Sequence, residues 1–261
     1  MLDNDVYSSP LHPLGKGLSA ERALRAAIVH GVLRPGERLS ETGLCQQFAI
    51  GRAAVRVALA QLQERGFVAS AARAGWHVAP VSAAEIREVM TGRHRLEPLL
   101  ASVVLSDADR IHLAQFGEMY AALSARADMG KELQPTLRRY ERDMMQLLAD
   151  RLGMPGIAGW LVDLWDRSAR LVLFFEAQGA PGLRPADRAG LTDALAQGDA
   201  AVAAQLISAA IGELEAHLAA CFMASAATVA GAARPRAGKS QASAKPARRG
   251  AKLETSNPAD R

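Results

Sequence analysis

The stretch from Ser19 to Pro80 constrains this chain most, because helix, turn and strand signals follow one another there in an order that few folds share. Ser19 is placed to cap a helix through Ala20 to His30, with Leu24, Ala27 and Ile28 on one face and Gly31 positioned to end it. Pro35-Gly36 then centres a tight turn in Leu33 to Glu37, and Ser40 is a cap for a second helix through Phe48. After Ala49-Ile50-Gly51 a third helix is expected over Arg52 to Glu64. Val55, Ala58, Leu59 and Leu62 fall there at i, i+3, i+4 and i+7, which leaves Arg52, Arg56 and Gln63 on a different, exposed face. Gly66 stops that helix. Phe67 to Ser70 and Trp76 to Ala79 are β-prone runs joined by Ala71 to Gly75, a hairpin with Arg73 at its tip, and Pro80 closes the unit. The order predicts a winged helix-turn-helix over residues 19–80, preceded by a flexible segment 1–18.

Beyond Pro80 the punctuation by Gly, Pro and Asp predicts helices at roughly 83–105, 108–127, 135–152, 157–177, 186–197 and 200–224. Gly198-Asp199 is the sharpest boundary, a helix stop followed at once by a cap. Aromatic residues make up only 5% of the chain, which suits packed helices better than a large β-sandwich. The expected fold class is therefore mainly α, a winged helix-turn-helix with a small hairpin wing followed by an all-α bundle over 81–230. Such a bundle has an interior where a small molecule could bind. From residue 231 onward Ala, Arg, Lys, Ser, Pro and Gly leave too little apolar side chain for a core, and a disordered basic tail is expected over 231–261.

Charge is segregated. Residues 1–80 carry +3, residues 81–230 carry −5 and residues 231–261 carry +6, so the two ends rather than the middle are suited to a polyanion. The two cysteines, Cys45 and Cys221, are far apart and suggest neither a disulfide framework nor a zinc knuckle. The amino-terminus lacks the basic start and apolar core of a secretion signal. The most apolar short run, Leu171 to Phe175, is far below the ~20 residues that span a bilayer. A soluble, cytoplasmic protein without a membrane partner is expected. No nucleophile elbow, phosphate loop or HExxH motif is present, so an enzyme is not expected.

A helix that enters the major groove needs donors on an exposed face near its amino-terminus, and Arg52 and Arg56 supply them. Each could pair with guanine O6 and N7 or with phosphate, and Arg73 at the wing tip suits phosphate. Taken alone, two arginines at i and i+4 are an ordinary solvated face. The run Leu33-Arg34-Pro35-Gly36-Glu37-Arg38-Leu39-Ser40-Glu41, with Arg52, Val55, Arg56, Ala58, Leu59, Leu62, Gly66 and Gly75 at matching spacings, resembles the GntR family of bacterial regulators. The resemblance implies contacts to double-stranded DNA from Thr42, Arg52, Ala53, Arg56, Arg73 and Gly75. Thr42 stands where the family often has a basic residue, Gly51 where a Ser or Thr usually caps the reading helix, and Ala53-Ala54 where Thr-Pro is common. Fewer phosphate and base contacts are therefore expected, each lost phosphate contact lowering the salt slope by about one unit.

Residues Glu85 to Val89 leading to Arg93 and Leu96 to Ala101, with Ala194 to Asp199, resemble the FadR-like branch of that family, whose FCD-type effector domain is all helical. Many members of the branch hold a divalent metal through an aspartate, a histidine four residues on and two later histidines. Those positions here are Glu141, Met145, Arg188 and Ala210, so the resemblance implies no metal and no cofactor. Arg188 could instead pair with Glu141 or bind an effector carboxylate, and Arg93 is a second candidate anchor for an organic acid. His94, His112 and His217 read as ordinary helix histidines. Trp160 and Trp165, with Leu161, Leu164, Leu171 and Phe175, read as core or dimer seam. Cys45 has no basic neighbour at helical spacing, which leaves redox sensing without support.

The resemblance implies a ligand-responsive transcriptional regulator, expected to be a repressor, that binds a pseudo-palindromic operator as a homodimer and takes a small-molecule effector in its helical half. The alternative is a constitutive or architectural DNA-binding protein with a degenerate effector site. Arg234, Arg236, Lys239, Lys245, Arg248, Arg249 and Lys252 make the tail either a DNA arm or a dispensable solubilising extension.

Overall fold

The computed structural model describes residues 16–71, 75–127 and 133–232. Arg73, residues 1–15 of the expected flexible start and the basic tail beyond residue 232 lie outside that set.

Helix α1 spans Lys16–Val29 and is followed by the two-residue strand β1 (Arg38–Leu39), α2 (Glu41–Phe48) and α3 (Arg52–Glu64). Strands β2 (Val68–Ala71) and β3 (Gly75–Val78) complete the unit. Ser19 does not cap α1, which starts a turn earlier at Lys16; Leu18 and Ser19 are exposed, and burial begins at Ala20 and Glu21. Ser40 does cap α2, its hydroxyl accepting from the Gly43 amide at 2.8 Å. The wing is more than the expected hairpin. Leu39 pairs with Trp76 and Arg38 with His77, so β1 joins a three-stranded antiparallel sheet in the order β1-β3-β2. A two-residue strand leaves no alternating pattern to read, which is why the sequence shows only a turn there. Leu24, Ile28, Val55, Leu59, Leu62, Phe67 and Val78 close over this sheet as one core, each fully buried aliphatic contributing about 1.5–3 kcal/mol.

The second half comprises α4 (Ala83–Leu96), a 3-10 turn over Glu97–Ser102, α5 (Asp107–Ala127), α6 (Gln134–Arg151), α7 (Pro155–Ala177), α8 (Arg188–Gln197) and α9 (Ala200–Ala232). The expected helix over 83–105 is divided. Glu97 keeps α-type backbone angles, φ −67° and ψ −34°, but Pro98 has no amide hydrogen to continue the i to i−4 ladder, so α4 ends at Leu96 and a tighter turn continues. Gly198 adopts the left-handed conformation at φ 74° and Asp199 caps α9 through the Val202 amide at 3.0 Å, as the sequence indicates. Helices α5 and α8 approach closely because Gly117 faces buried Thr192. A Cβ at Gly117 would stand 2.3 Å from Thr192 Oγ1, and that hydroxyl is engaged with the Ala189 carbonyl at 2.8 Å. Gly117→Ala is therefore expected to destabilise the protein by about 1–3 kcal/mol despite the better helix propensity of alanine. A chemical denaturation midpoint equal to that of the native chain would show slack between these helices.

Trp165, Leu161, Leu171 and Phe175 enter the bundle core, but Trp160 is 61% exposed and is not a core residue. Residues Ala200–Ser225 of α9 are long and apolar enough to cross a bilayer by length and composition, which corrects the expectation that no run approaches that length. Ala203, Ile207, Ile211, Leu214, Leu218 and Cys221 line one face of this helix and pack into the bundle core. The short run at Leu171 to Phe175 stands out in the sequence because it is continuous; α9 hides its apolar content among alanines.

Helix α7 belongs to both halves. Its Leu171, Val172 and Phe175 pack into the bundle, while Ala169 and Leu173 pack against the amino-terminal core.

Candidate nucleic-acid interface

Helix α3 buries Val55, Ala58, Leu59 and Leu62 completely and turns Arg52, Ala53, Arg56, Val57, Ala60 and Gln63 outward. That division follows from the helical period, and it places two guanidinium groups one turn apart at the amino-terminal end. Gly51 precedes the helix without a side-chain cap, so its first amides are left for solvent or an anionic group.

Neither arginine is loose. Arg52 donates from Nη2 to the Thr42 hydroxyl at 3.1 Å, and Arg56 donates from Nε to Glu41 Oε2 at 2.9 Å. Thr42 and Glu41 lie in the first turn of α2, so α2 braces the exposed face of α3. Arg56 remains 63% exposed, and its pair with Glu41 is made through Nε. An exposed pair of this kind adds little stability, about 0–1 kcal/mol, but it limits the rotamers of a long side chain before any ligand arrives. Glu41 is not among the residues that the sequence singles out as contacts. Its signal is its place in the first turn of α2, three-dimensionally beside a residue fifteen positions away. Gly75 opens β3 at φ 73°, a conformation that favours glycine at the edge of the wing.

The bundle residues gather differently. Arg93 donates to Glu97 from Nε at 2.7 Å and from Nη2 at 3.0 Å, and the Trp165 indole donates to the same carboxylate at 3.1 Å. Its guanidinium is thus committed to an internal partner. Arg188, 2% exposed, pairs with Glu141 through Nε at 3.0 Å and through Nη2. Burial would raise the Glu141 carboxyl, but the charge and hydrogen bonds of Arg188, aided by Arg93 and Arg138, outweigh it and hold it below the ordinary range. Met145 is buried in the core and Ala210 is half-buried, so neither adds a polar contact. The sequence misses Tyr120. This buried tyrosine lines a hollow of about 380 Å³ with Ser124, Ala186, Asp187 and Arg188, and burial with the nearby Glu141 pushes its hydroxyl pKa well above the usual value. Among the described residues, no group of three or more His, Cys, Asp or Glu is assembled to hold a metal.

Residues 17–78 match the family model of the bacterial regulatory proteins, gntR family. They form a GntR-type helix-turn-helix domain. The chain is 31% identical over 90 residues to the HTH-type transcriptional regulator YdhC of Bacillus subtilis strain 168, a match covering 34% of this chain and 40% of that protein. It is 36% identical over 88 residues to the HTH-type transcriptional regulator BphR of Paraburkholderia xenovorans strain LB400, covering 33% of this chain and 36% of that one. The match thus spans two-fifths or less of these curated relatives. The whole fold recurs more widely. Escherichia coli McbR/YncC superposes with a TM-score of 0.64 at 21% identity, covering 80% of this chain and 99% of that one. A GntR regulator from Rhodococcus sp. RHA1 superposes with a TM-score of 0.60 at 21% identity, covering 78% and 98%. At that identity the likeness concerns the fold.

Proposed function

We propose that this chain is a cytoplasmic, ligand-responsive transcriptional regulator of the FadR-like branch, with a winged helix-turn-helix head at 19–80 and an FCD-type effector and dimerisation domain at 81–230. As a homodimer it presents two copies of α3 to successive major grooves of a pseudo-palindromic operator, and its output is repression. The observation that carries this reading is the outward face of α3, where Arg52 and Arg56 are braced by Thr42 and Glu41 within a GntR-type domain. Thr42, Ala53, Gly75 and Arg73 complete the proposed DNA contacts. Selection of the purified chain on a random duplex library tests it. A consensus with two-fold symmetry is expected; recovery of duplexes without any shared sequence would overturn it.

The proposed effector site is the hollow beside Tyr120 and Arg188. Arg93 has its donors engaged by Glu97, whereas the Arg188 Nη1 atom is buried without a hydrogen-bond partner, so Arg188 is the anchor we assign to an organic acid, with Glu141 and Met145 behind it. A thermal-shift screen of small organic acids should find one that raises the melting temperature of the native chain and not that of Arg188→Ala. An equal shift in both would remove Arg188 from the site.

The second reading, a constitutive or architectural DNA-binding protein, is favoured by one observation: both candidate anchors already sit in internal ion pairs. It predicts weak sequence preference, steep salt dependence and a response to none of the acids screened.

A further inference from the structure

Helix α7 carries a row of charges into the contact with the GntR-type head. Arg25 of α1 reaches two of them, its Nη2 pairing with Asp163 and its Nε lying 2.7 Å from Asp166 Oδ2. Its guanidinium also lies over the Phe67 ring at 4.9 Å from the ring centre. Arg65, just past α3, adds a contact to Asp163 at 3.2 Å. The other oxygen of Asp166 faces the bundle. Arg142 of α6 lies 2.8 Å from Asp166 Oδ1 and over the Trp165 ring at 5.1 Å. Trp165 in turn donates to Glu97, the partner of Arg93.

This contact and the adjoining one between α7 and α4 are incompletely satisfied. Among the described residues, six buried side-chain nitrogens or oxygens have no aligned hydrogen bond. Five of them, on Glu21, Arg25, Glu85, Arg167 and Arg170, belong to the charges between α7 and its neighbours α1 and α4. Charges withdrawn from water without full pairing make a joint that opens more readily than an apolar one of the same area.

We infer that Asp166 is the positioning residue through which the bundle sets how firmly the head is docked, because its two oxygens are divided between Arg25 of the head and Arg142 of α6. The inference rests on the regulatory reading above for its purpose, but the docking itself does not need DNA. Its physical content is a competition. Arg25, Arg65 and Arg142 face Glu21, Asp163 and Asp166, three cations against three carboxylates. Burial disfavours the charge of Arg142, Asp166 opposes that, and the positive charge of Arg25 adds to the lowering. Drawing Arg142 away from Asp166 leaves that carboxylate wholly to Arg25 and tightens the head; neutralising Asp166 loosens it.

Hydrogen exchange of the full chain, without DNA, reads both directions. In Asp166→Asn, amides of α1 around Arg25 and those near Arg65 should exchange about tenfold faster, while the α5 and α8 core keeps its protection. In Arg142→Gln the same amides should exchange about threefold more slowly, and Arg142→Lys should restore the native rate. Opposite signs from two cuts on either side of one carboxylate are not produced by a general loss of stability, which accelerates exchange in both variants. Acceleration in both, or no change in Asp166→Asn, overturns the inference. A native chain that fails to select any duplex would instead sink the regulatory reading and leave these exchange results standing.

Discussion

Truncating Glu85 to alanine is expected to destabilise the protein by about 3–5 kcal/mol, because it strands a buried cation. Arg170 is 2% exposed and has two partners, the Ala79 carbonyl at 2.6 Å and the Glu85 carboxylate. Glu85 is itself 7% exposed. Burial pushes its carboxyl above the ordinary glutamate value, against the lowering pull of Arg170 and Arg167, while Glu88 adds to the rise. Burial likewise lowers Arg170. Each charge is thus costly alone and tolerable only with the other. In a thermal melt the single variant should lose roughly 6–20 °C, taking about 2–4 °C per kcal/mol for a protein of this size. The pair Glu85→Leu with Arg170→Met should recover most of that loss, since two apolar side chains leave no uncompensated charge. A double variant as unstable as the single one would contradict the argument. The pH dependence has a definite sign. Between 4.5 and the raised folded value the native state holds a proton that the unfolded chain has released, so this group's contribution falls as pH rises through that window. Glu85→Gln should remove that slope.

The second large effect is expected at Arg52. A bidentate contact to guanine is worth about 1–3 kcal/mol of discrimination, so Arg52→Ala should weaken binding to the selected duplex by about 5–150-fold per half-site and relax one base position. If Arg52 meets phosphate instead, affinity should fall evenly across sequences and the salt slope should drop by about one unit per contact. Titration of matched and mismatched duplexes at several salt concentrations separates these outcomes. Thr42→Ala, which removes only the brace at 3.1 Å, should cost less than loss of the guanidinium. A native affinity in Arg52→Ala would remove α3 from the interface.

Helix α3 was the most legible part of the sequence, since four apolar residues at helical spacing, a glycine before and a glycine after suffice to place Arg52 to Glu64. The capped starts of α2 and α9 were legible for the same local reason. Strand β1 was not, because two residues carry no period. The break at Pro98 was available in principle, yet the apolar pattern through Leu100 and Ala101 continues across it and stays buried. Pairing was the least legible property. That Arg188 meets Glu141 came from resemblance rather than from spacing. That Arg93 is spent on Glu97 lies within one helical turn and was open to a local reading, whereas the pairing of Arg56 with Glu41 and of Asp166 with two arginines depends on tertiary neighbours up to 141 positions apart that no local window contains.

The central claim is that the outward face of α3 reads a duplex groove, and it is tested most directly by repeating the duplex selection with Arg52 and Arg56 both changed to alanine. The account predicts that the two-fold consensus of the native chain disappears while any salt-sensitive, sequence-independent binding persists. Recovery of the same consensus by the altered chain would contradict it.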